Sequence, residues 1–127
     1  MEALISQIAW TPVVVSTVLA FGLGWLWYSP ALFLKSWKAG LPYPPKWEAP
    51  MWMPMVAQLG ATFILAILVS LSIKSGDVRN AAFIVIAIMG FTKANGLYAG
   101  KSMAAISVEV LYILAMGVLL AAVNLIL

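Results

Sequence analysis

The sequence predicts an all-α membrane protein whose four transmembrane helices form a small bundle, with a short interfacial helix after the first span. Of the 127 residues, 65% are hydrophobic and 9% are charged, whereas a soluble domain has about a quarter of its residues charged. The mean hydropathy is +1.06. Four apolar segments follow one another, each close to the ~20 residues that a transmembrane helix requires. Lipid is therefore the expected main solvent.

In chain order, the predicted spans cover about 5–28, 51–73, 79–99 and 102–127. Together they form one membrane domain, 1–127. Backbone groups in hydrocarbon must be hydrogen-bonded internally, so the spans are helices rather than strands. The first span ends at Ser29 and Pro30 because the residue before proline is disfavoured in the α region. The third span must contain Lys93, and the fourth contains Glu109.

The loop between the first two spans is expected to lie at the membrane surface. Residues 31–39 are predicted to form a short interfacial helix, since apolar and basic side chains are interspersed there, namely Leu32, Phe33, Trp37, Lys35 and Lys38. Residues 40–45 are too proline-rich for a helix, so we expect an extended tether. All seven prolines and all six tryptophans lie before residue 55, which makes the N-terminal half the irregular one.

Aromatic side chains surround the end of the first span. Amphipathic rings favour the level of the lipid headgroups, so we interpret this group as an interfacial anchor. Its members are Trp25, Trp27, Tyr28, Phe33 and Trp37. The alternative is a pocket for a lipid, quinone or pigment tail.

The stretch from Gly24 to Trp37 reads Gly-Trp-Leu-Trp-Tyr-Ser-Pro-Ala-Leu-Phe-Leu-Lys-Ser-Trp. It resembles the Trp-Tyr-Ser-Pro-x-Leu-Phe-Gly-x-x-Trp signature of the domain-of-unknown-function 1761 family, with Trp27, Tyr28, Ser29 and Pro30 in its first four positions. Leu34 stands where the family has glycine, and the rest of the chain matches in pattern only. The resemblance implies a small membrane protein with four helices, and it implies no activity.

Polar residues at hydrocarbon depth are the candidate functional residues. Counting along the helices from the edge shared by the first and third loops places Gln58, Lys93 and Glu109 about 9–11 Å deep on one side. An isolated charge there costs about 2.5–3.5 kcal/mol, so we predict that Lys93 and Glu109 pair. Tyr112, one turn beyond Glu109, and Asn95 are the expected further donors of this buried polar cluster.

Two interpretations of the cluster are open. In the first, the ion pair is structural and locks the hairpin of the third and fourth spans. In the second, the cluster is a site for a proton, an ion or a small solute, where Glu109 takes up the proton and Lys93 adjusts its proton affinity. Gln58 on its own is more typical of a helix–helix hydrogen bond than of a ligand contact.

Composition excludes several kinds of chemistry. The chain has no cysteine and no histidine, so we expect no disulfide, no histidine-ligated haem, no metal site and no cofactor. A net charge of +3 is too small for nucleic-acid binding and fits loops that face anionic headgroups. The sequence shows no nucleophile–base pair, phosphate-binding loop or pair of carboxylates, so we expect a protein that is not an enzyme.

Three function classes follow from these observations. The first is an accessory or scaffold subunit of a larger membrane complex, whose partners are the lipid bilayer and other membrane subunits or further copies of the chain. The second is a small oligomeric transporter or channel that uses Lys93 and Glu109. The third is a protein that binds a lipid-type or quinone-type ligand at the aromatic loop.

Basic residues predict the orientation. Five of the seven lie near the first and third loops, whereas Lys74 and Arg79 lie near the second. The first and third loops are therefore predicted to be cytoplasmic, with both termini on the non-cytoplasmic side of a bacterial inner membrane or its equivalent. Residues 1–7 contain Glu2 and no basic residue, so we expect no cleaved signal.

Overall fold

The structure, a computed structural model, describes residues 6, 8–29, 31–41 and 52–127. Its helices are α1 (Trp10–Trp27), α2 (Leu34–Ala39), α3 (Trp52–Lys74), α4 (Val78–Tyr98) and α5 (Met103–Ile126). Four of them are long and apolar enough to cross a membrane, which confirms the predicted all-α membrane bundle. The start of the first predicted span, Pro30 and most of the predicted tether lie outside the described residues.

A tight turn joins α3 to α4. Gly76 adopts φ 85°, a left-handed conformation that glycine takes without a steric penalty. This conformation lets the Asp77 amide donate to the Ser72 carbonyl at 2.9 Å, which satisfies the end of α3. The Asp77 side chain then accepts from the Asn80 amide at 3.1 Å and caps the start of α4.

A turn with the same arrangement, a left-handed glycine followed by a capping side chain, joins α4 to α5. Gly100 adopts φ 77°, and the Lys101 amide donates to the Gly96 carbonyl at 3.0 Å. The Ser102 hydroxyl accepts from the Ala105 amide at 3.1 Å and caps α5. Because both turns are short, α3, α4 and α5 run in alternating directions.

Helix α5 is the centre of the bundle and contacts all four other described helices. The buried core consists mainly of small and branched side chains from α1, α3 and α5, including Val13, Ala20, Leu65, Ala66, Val69, Met116 and Leu120. Helix α4 packs against α5 and α3 and is the least buried of the four long helices. A Cβ atom at Gly117 would lie 2.8 Å from the methyl groups of Val85, so this glycine permits the close approach of α4 and α5.

The first and third loops meet at one end of the bundle. The Ser102 amide donates to the Gly40 carbonyl at 2.7 Å, which fixes the end of α2 against the start of α5. At the opposite end, the Lys74 ammonium donates to the Asn124 carbonyl at 2.9 Å. Which end faces the cytoplasm stays a prediction.

Large apolar side chains cover the outside of the bundle. Phe83 and Phe91 on α4 are 70% and 71% exposed, and Val118 on α5 is 61% exposed. Such a surface would aggregate in water, but it is the surface that a membrane-spanning helix presents to lipid tails.

Candidate functional site

The site is built around Tyr112, a buried residue of α5. Its hydroxyl donates to the Ala20 carbonyl of α1 at 3.1 Å and accepts from the Gln58 amide nitrogen of α3 at 3.4 Å. One phenol thus connects three helices. Gly24 makes room for it, because a Cβ atom at this position would lie 2.7 Å from the Tyr112 hydroxyl oxygen.

Glu109 lies one turn before Tyr112 and forms a second polar contact. Its Oε2 atom accepts from the Lys101 ammonium at 2.7 Å and from the indole N–H of Trp37 at 2.7 Å. Since Trp37 belongs to α2 and Lys101 to the third loop, this carboxylate holds the short helix, the loop and α5 together. Only 13% of the Glu109 side chain is exposed.

Trp27, at the end of α1, also bonds to α5. Its indole N–H donates to the Val108 carbonyl at 3.0 Å. The ring lies 4.7 Å from the Phe33 ring and 6.2 Å from the Tyr112 ring, measured between centroids. The Trp27 ring therefore packs inward against α5.

Tyr28 completes this inward packing. Its ring meets the Trp37 ring edge-on at 5.4 Å and the Tyr112 ring at 5.7 Å. Trp25 is the exception, since it is 77% exposed and is the ring placed to contact lipid. The predicted anchor thus divides into one outward ring and four rings that join α1 and α2 to α5.

The turn after α1 begins with Ser29. Its hydroxyl donates to the Leu26 carbonyl at 2.6 Å and closes the last turn of the helix. Pro30 lies outside the described residues. The Phe33 amide donates to the Trp27 carbonyl at 3.2 Å, which holds the residue before α2 against the end of α1.

A groove of about 410 Å³ opens beside these contacts, between the end of α1 and the start of α3. We name it the α1–α3 groove. Its apolar wall consists of Phe21, Trp25, Pro54 and Met55, and its polar groups are on Tyr28, Trp37, Gln58 and Tyr112. Gln58 and Tyr112 are hydrogen-bonded to each other, so part of the groove wall is polar and fixed.

The predicted pair of Lys93 with Glu109 is wrong. Glu109 binds Lys101, whereas Lys93 is exposed and lies beside Ser107 in a separate groove between α4 and α5. Ser107 and Glu109 are two positions apart, which is about 200° around a helix. The two charges therefore lie at similar depth but on opposite sides of α5.

The other members of the predicted cluster are also divided. Gln58 and Tyr112 are brought together, but the Tyr112 hydroxyl donates to Ala20 rather than to Glu109. Asn95 is exposed on α4. Of the predicted cluster, Gln58 and Tyr112 line the α1–α3 groove. Glu109 is bound to Trp37 of its wall, whereas Lys93 and Asn95 are not part of it.

Two contributors were missed from the sequence. Lys101 was counted as a loop charge, although its long side chain reaches Glu109 two turns along α5. Gly40 was assigned to the tether, yet a Cβ atom there would collide with the Ser102 hydroxyl and the Ala105 side chain. The Gly40 contact has no signal in hydropathy or spacing, because it depends on how α2 docks. Lys101 and Glu109 are eight positions apart, beyond the i,i+4 spacing at which charges on a helix are expected to pair. Among the described residues, no group of three or more acidic, cysteine or histidine side chains is placed to hold a metal ion.

The fold and this site define an integral membrane protein with four helical spans, in which a short aromatic helix is fastened to the last span. The family model described as "Protein of unknown function (DUF1761)" matches residues 11–125. The chain belongs to this family, as the stretch around Trp27 and Tyr28 indicated. Comparison with curated proteins found no match, and neither did comparison with solved structures.

Proposed function

We propose that this protein is a non-catalytic membrane protein that binds a neutral amphiphile in the α1–α3 groove. The observation that carries the proposal is the composition of the groove, where an apolar wall meets the hydrogen-bonded pair of Gln58 and Tyr112. Ligand sites are typically concave and apolar, with a few polar groups that fix the orientation of the ligand.

The polar groups of the groove favour an uncharged head on the ligand. Gln58 carries a neutral amide whose carbonyl oxygen makes no hydrogen bond to a described residue, and Tyr28 carries a phenol. The nearby charges of Glu109 and Lys101 neutralise each other. Carbonyl or hydroxyl oxygens on the ligand suit these donors and acceptors. Acylglycerols and quinones both belong to this chemical class.

The position of the groove fits such a ligand. It is formed by the last turns of α1 and the first turns of α3, at the bundle end where α2 lies. Aromatic rings of this kind favour the headgroup level. The head of an amphiphile would therefore lie near Gln58, with its chain along the exposed faces of α1 and α3.

Thermal unfolding of the purified protein in dodecyl maltoside, with and without monoolein, tests the proposal. A ligand that binds only the folded state raises the unfolding temperature. We expect monoolein to raise it for the wild type and for Ile64→Trp, an exposed position elsewhere on α3. We expect little rise for Met55→Trp, whose larger ring fills the groove.

An equal response of Met55→Trp and Ile64→Trp would contradict the proposal, because the lipid would then act on the whole surface. Decylubiquinone in place of monoolein separates the two ligand types. The preferred ligand is the one for which the rise in unfolding temperature of the wild type exceeds that of Met55→Trp by more.

A second candidate is a scaffold role in which the chain forms homo-oligomers, with α4 packed against α4 of another copy. It is supported by the exposure of α4 and by Gly90, where nothing lies within 4 Å of an added Cβ atom. We expect Gly90→Cys to form disulfide-linked dimers in mild detergent. Gly22→Cys, at an equally open position of α1, is the matched control, and equal crosslinking of both would refute this role. The transporter alternative relied on Lys93 and Glu109 in one cluster, and it no longer has that support because Glu109 binds Lys101.

A further inference from the structure

We propose that the groove between α4 and α5 binds the phosphate of an anionic phospholipid through Lys93. This groove, the Lys93 groove, has a volume of about 220 Å³. It combines Lys93 and Ser107 with an apolar wall of Met103, Ile106, Val110 and Leu111. The site is separate from the α1–α3 groove and does not depend on the function proposed for it.

The charge of Lys93 has no carboxylate to balance it within the described part of the chain. Glu109 is bound to Lys101 and Trp37 on the far side of α5. Asp77 caps the opposite end of α4, 16 residues or about four and a half turns away. A lysine whose backbone lies at hydrocarbon depth is unfavourable unless its ammonium group reaches an anion, and a lipid phosphate is the anion that the membrane itself supplies.

The depth of the site fits a headgroup. Lys93 lies five residues before Tyr98, the last residue of α4, which is about 7.5 Å along the helix. Ser107 lies four residues after Met103, the first residue of α5, which is about 6 Å. A lysine at this depth extends its side chain toward the membrane surface, so its ammonium group reaches the level of the phosphates.

The groove offers one positive charge and one hydroxyl, and neither side chain makes a hydrogen bond to a described residue. That pair of groups matches the single negative charge and the free oxygens of a phosphodiester. Val110 and Leu111 continue the groove wall toward the bilayer centre and suit an acyl chain. The expected ligand is therefore a singly charged phospholipid such as phosphatidylglycerol.

Native mass spectrometry of the detergent-purified protein, titrated with dioleoyl phosphatidylglycerol or dioleoyl phosphatidylcholine, tests the proposal. We expect the wild type to prefer phosphatidylglycerol. Lys93→Gln should reduce this preference about fivefold, the size expected for one lysine at an anionic surface. Lys35→Gln is the matched control, because it removes an equal charge from an exposed position on α2.

Two further variants distinguish loss of the lipid site from a folding defect. Lys93→Arg keeps the charge and should keep the preference, whereas Ser107→Leu fills the groove and should lose it. If Lys93→Gln and Lys35→Gln lost the preference for phosphatidylglycerol equally, the proposal would be overturned, because the preference would then depend on net charge alone. Equal binding of the two lipids by the wild type would overturn it as well. The response to monoolein should persist in Lys93→Gln, so failure here is distinguishable from failure of the α1–α3 groove.

Discussion

A single hydroxyl oxygen, that of Tyr112, links α1, α3 and α5. The link requires that α1 come close to the ring, and Gly24 is the residue that allows it. The absence of a side chain at Gly24 is thus as important for this contact as the phenol itself. The same glycine lines the α1–α3 groove, so the packing of α1 and the proposed ligand site share one position.

Gly24→Ala tests this close approach. We expect it to lower the free energy of unfolding by about 1–3 kcal/mol, the usual cost of overpacking, because the methyl group would lie 2.7 Å from the Tyr112 oxygen. Gly22→Ala is the control in the same helix, where nothing lies within 4 Å. It should be neutral or stabilise by up to about 1 kcal/mol. The measurement is unfolding in mixed micelles with increasing dodecyl sulfate, and equal effects would argue against the packing described.

The Glu109–Lys101 contact permits a second test. A double-mutant cycle with Lys101→Met and Glu109→Gln should give a coupling energy of about 1 kcal/mol. The value is modest because 24% of the Lys101 side chain is exposed. The matching cycle with Lys93→Met and Glu109→Gln should give a coupling near zero. A larger coupling for Lys93 would restore the pair that the sequence predicted.

Depth and direction explain which residue contacts were predictable. Counting along the helices placed Gln58 and Tyr112 in one cluster, and they are hydrogen-bonded. The same counting paired Lys93 with Glu109 wrongly, because residues at equal depth can lie on opposite sides of a helix. Membrane helices hide this difference, since their lipid-facing and buried positions are both apolar.

At the scale of the elements, α2 is fastened to α5 by the Trp37 indole, the Gly40 carbonyl and the rings around Tyr28. A helix of six residues is too short to be stable alone. Its structure therefore depends on these contacts with α5.

Trp37→Phe tests this dependence. The substitution keeps an aromatic ring but removes the N–H that donates to Glu109 at 2.7 Å, a bond to a charged group worth about 1.5–3 kcal/mol. We expect faster hydrogen–deuterium exchange at residues 35–40. Trp25→Phe, at an outward-facing ring, should leave their exchange unchanged. Unchanged exchange in Trp37→Phe would mean that the indole bond does not hold α2.

The long helices were predictable because their signals are local. Hydropathy gives their length, and the residues that end and begin them act within one turn, as Gly76, Gly100 and Ser102 show. The docking of α2 was not predictable, because no local pattern states which helix a tryptophan will meet. The sequence suggested lipid for Trp27 and Trp37, and the structure gives them partners on α5.

At the scale of the whole molecule, the first and third loops share one end of the bundle. Basic residues are concentrated there, so that end is predicted to face the cytoplasm. A chain without native cysteine allows a direct test with Ser36→Cys in α2 and Ser75→Cys in the second loop. An impermeant thiol reagent applied outside intact cells should label Ser75→Cys and spare Ser36→Cys. The reverse labelling pattern would show that the orientation is inverted and that the distribution of basic residues does not predict it for this chain.

The two grooves differ in a way that suits different lipids. The α1–α3 groove carries neutral polar groups, whereas the Lys93 groove carries a positive charge. The outer faces of α3 and α4 carry large apolar side chains without such groups. A specific ligand site is therefore distinguished from general lipid contact by saturation, because a site can be filled and a lipid-covered face cannot.

Photolabelling in liposomes with a diazirine-bearing monoacylglycerol tests the ligand proposal most directly. Mass spectrometry of the labelled peptides compares Met55, in the α1–α3 groove, with Phe91, on the outer face of α4. We expect excess monoolein to suppress labelling at Met55 and to leave labelling at Phe91 unchanged. If monoolein changed both in proportion, or neither, the groove would be ordinary lipid-facing surface and the proposed function would be wrong.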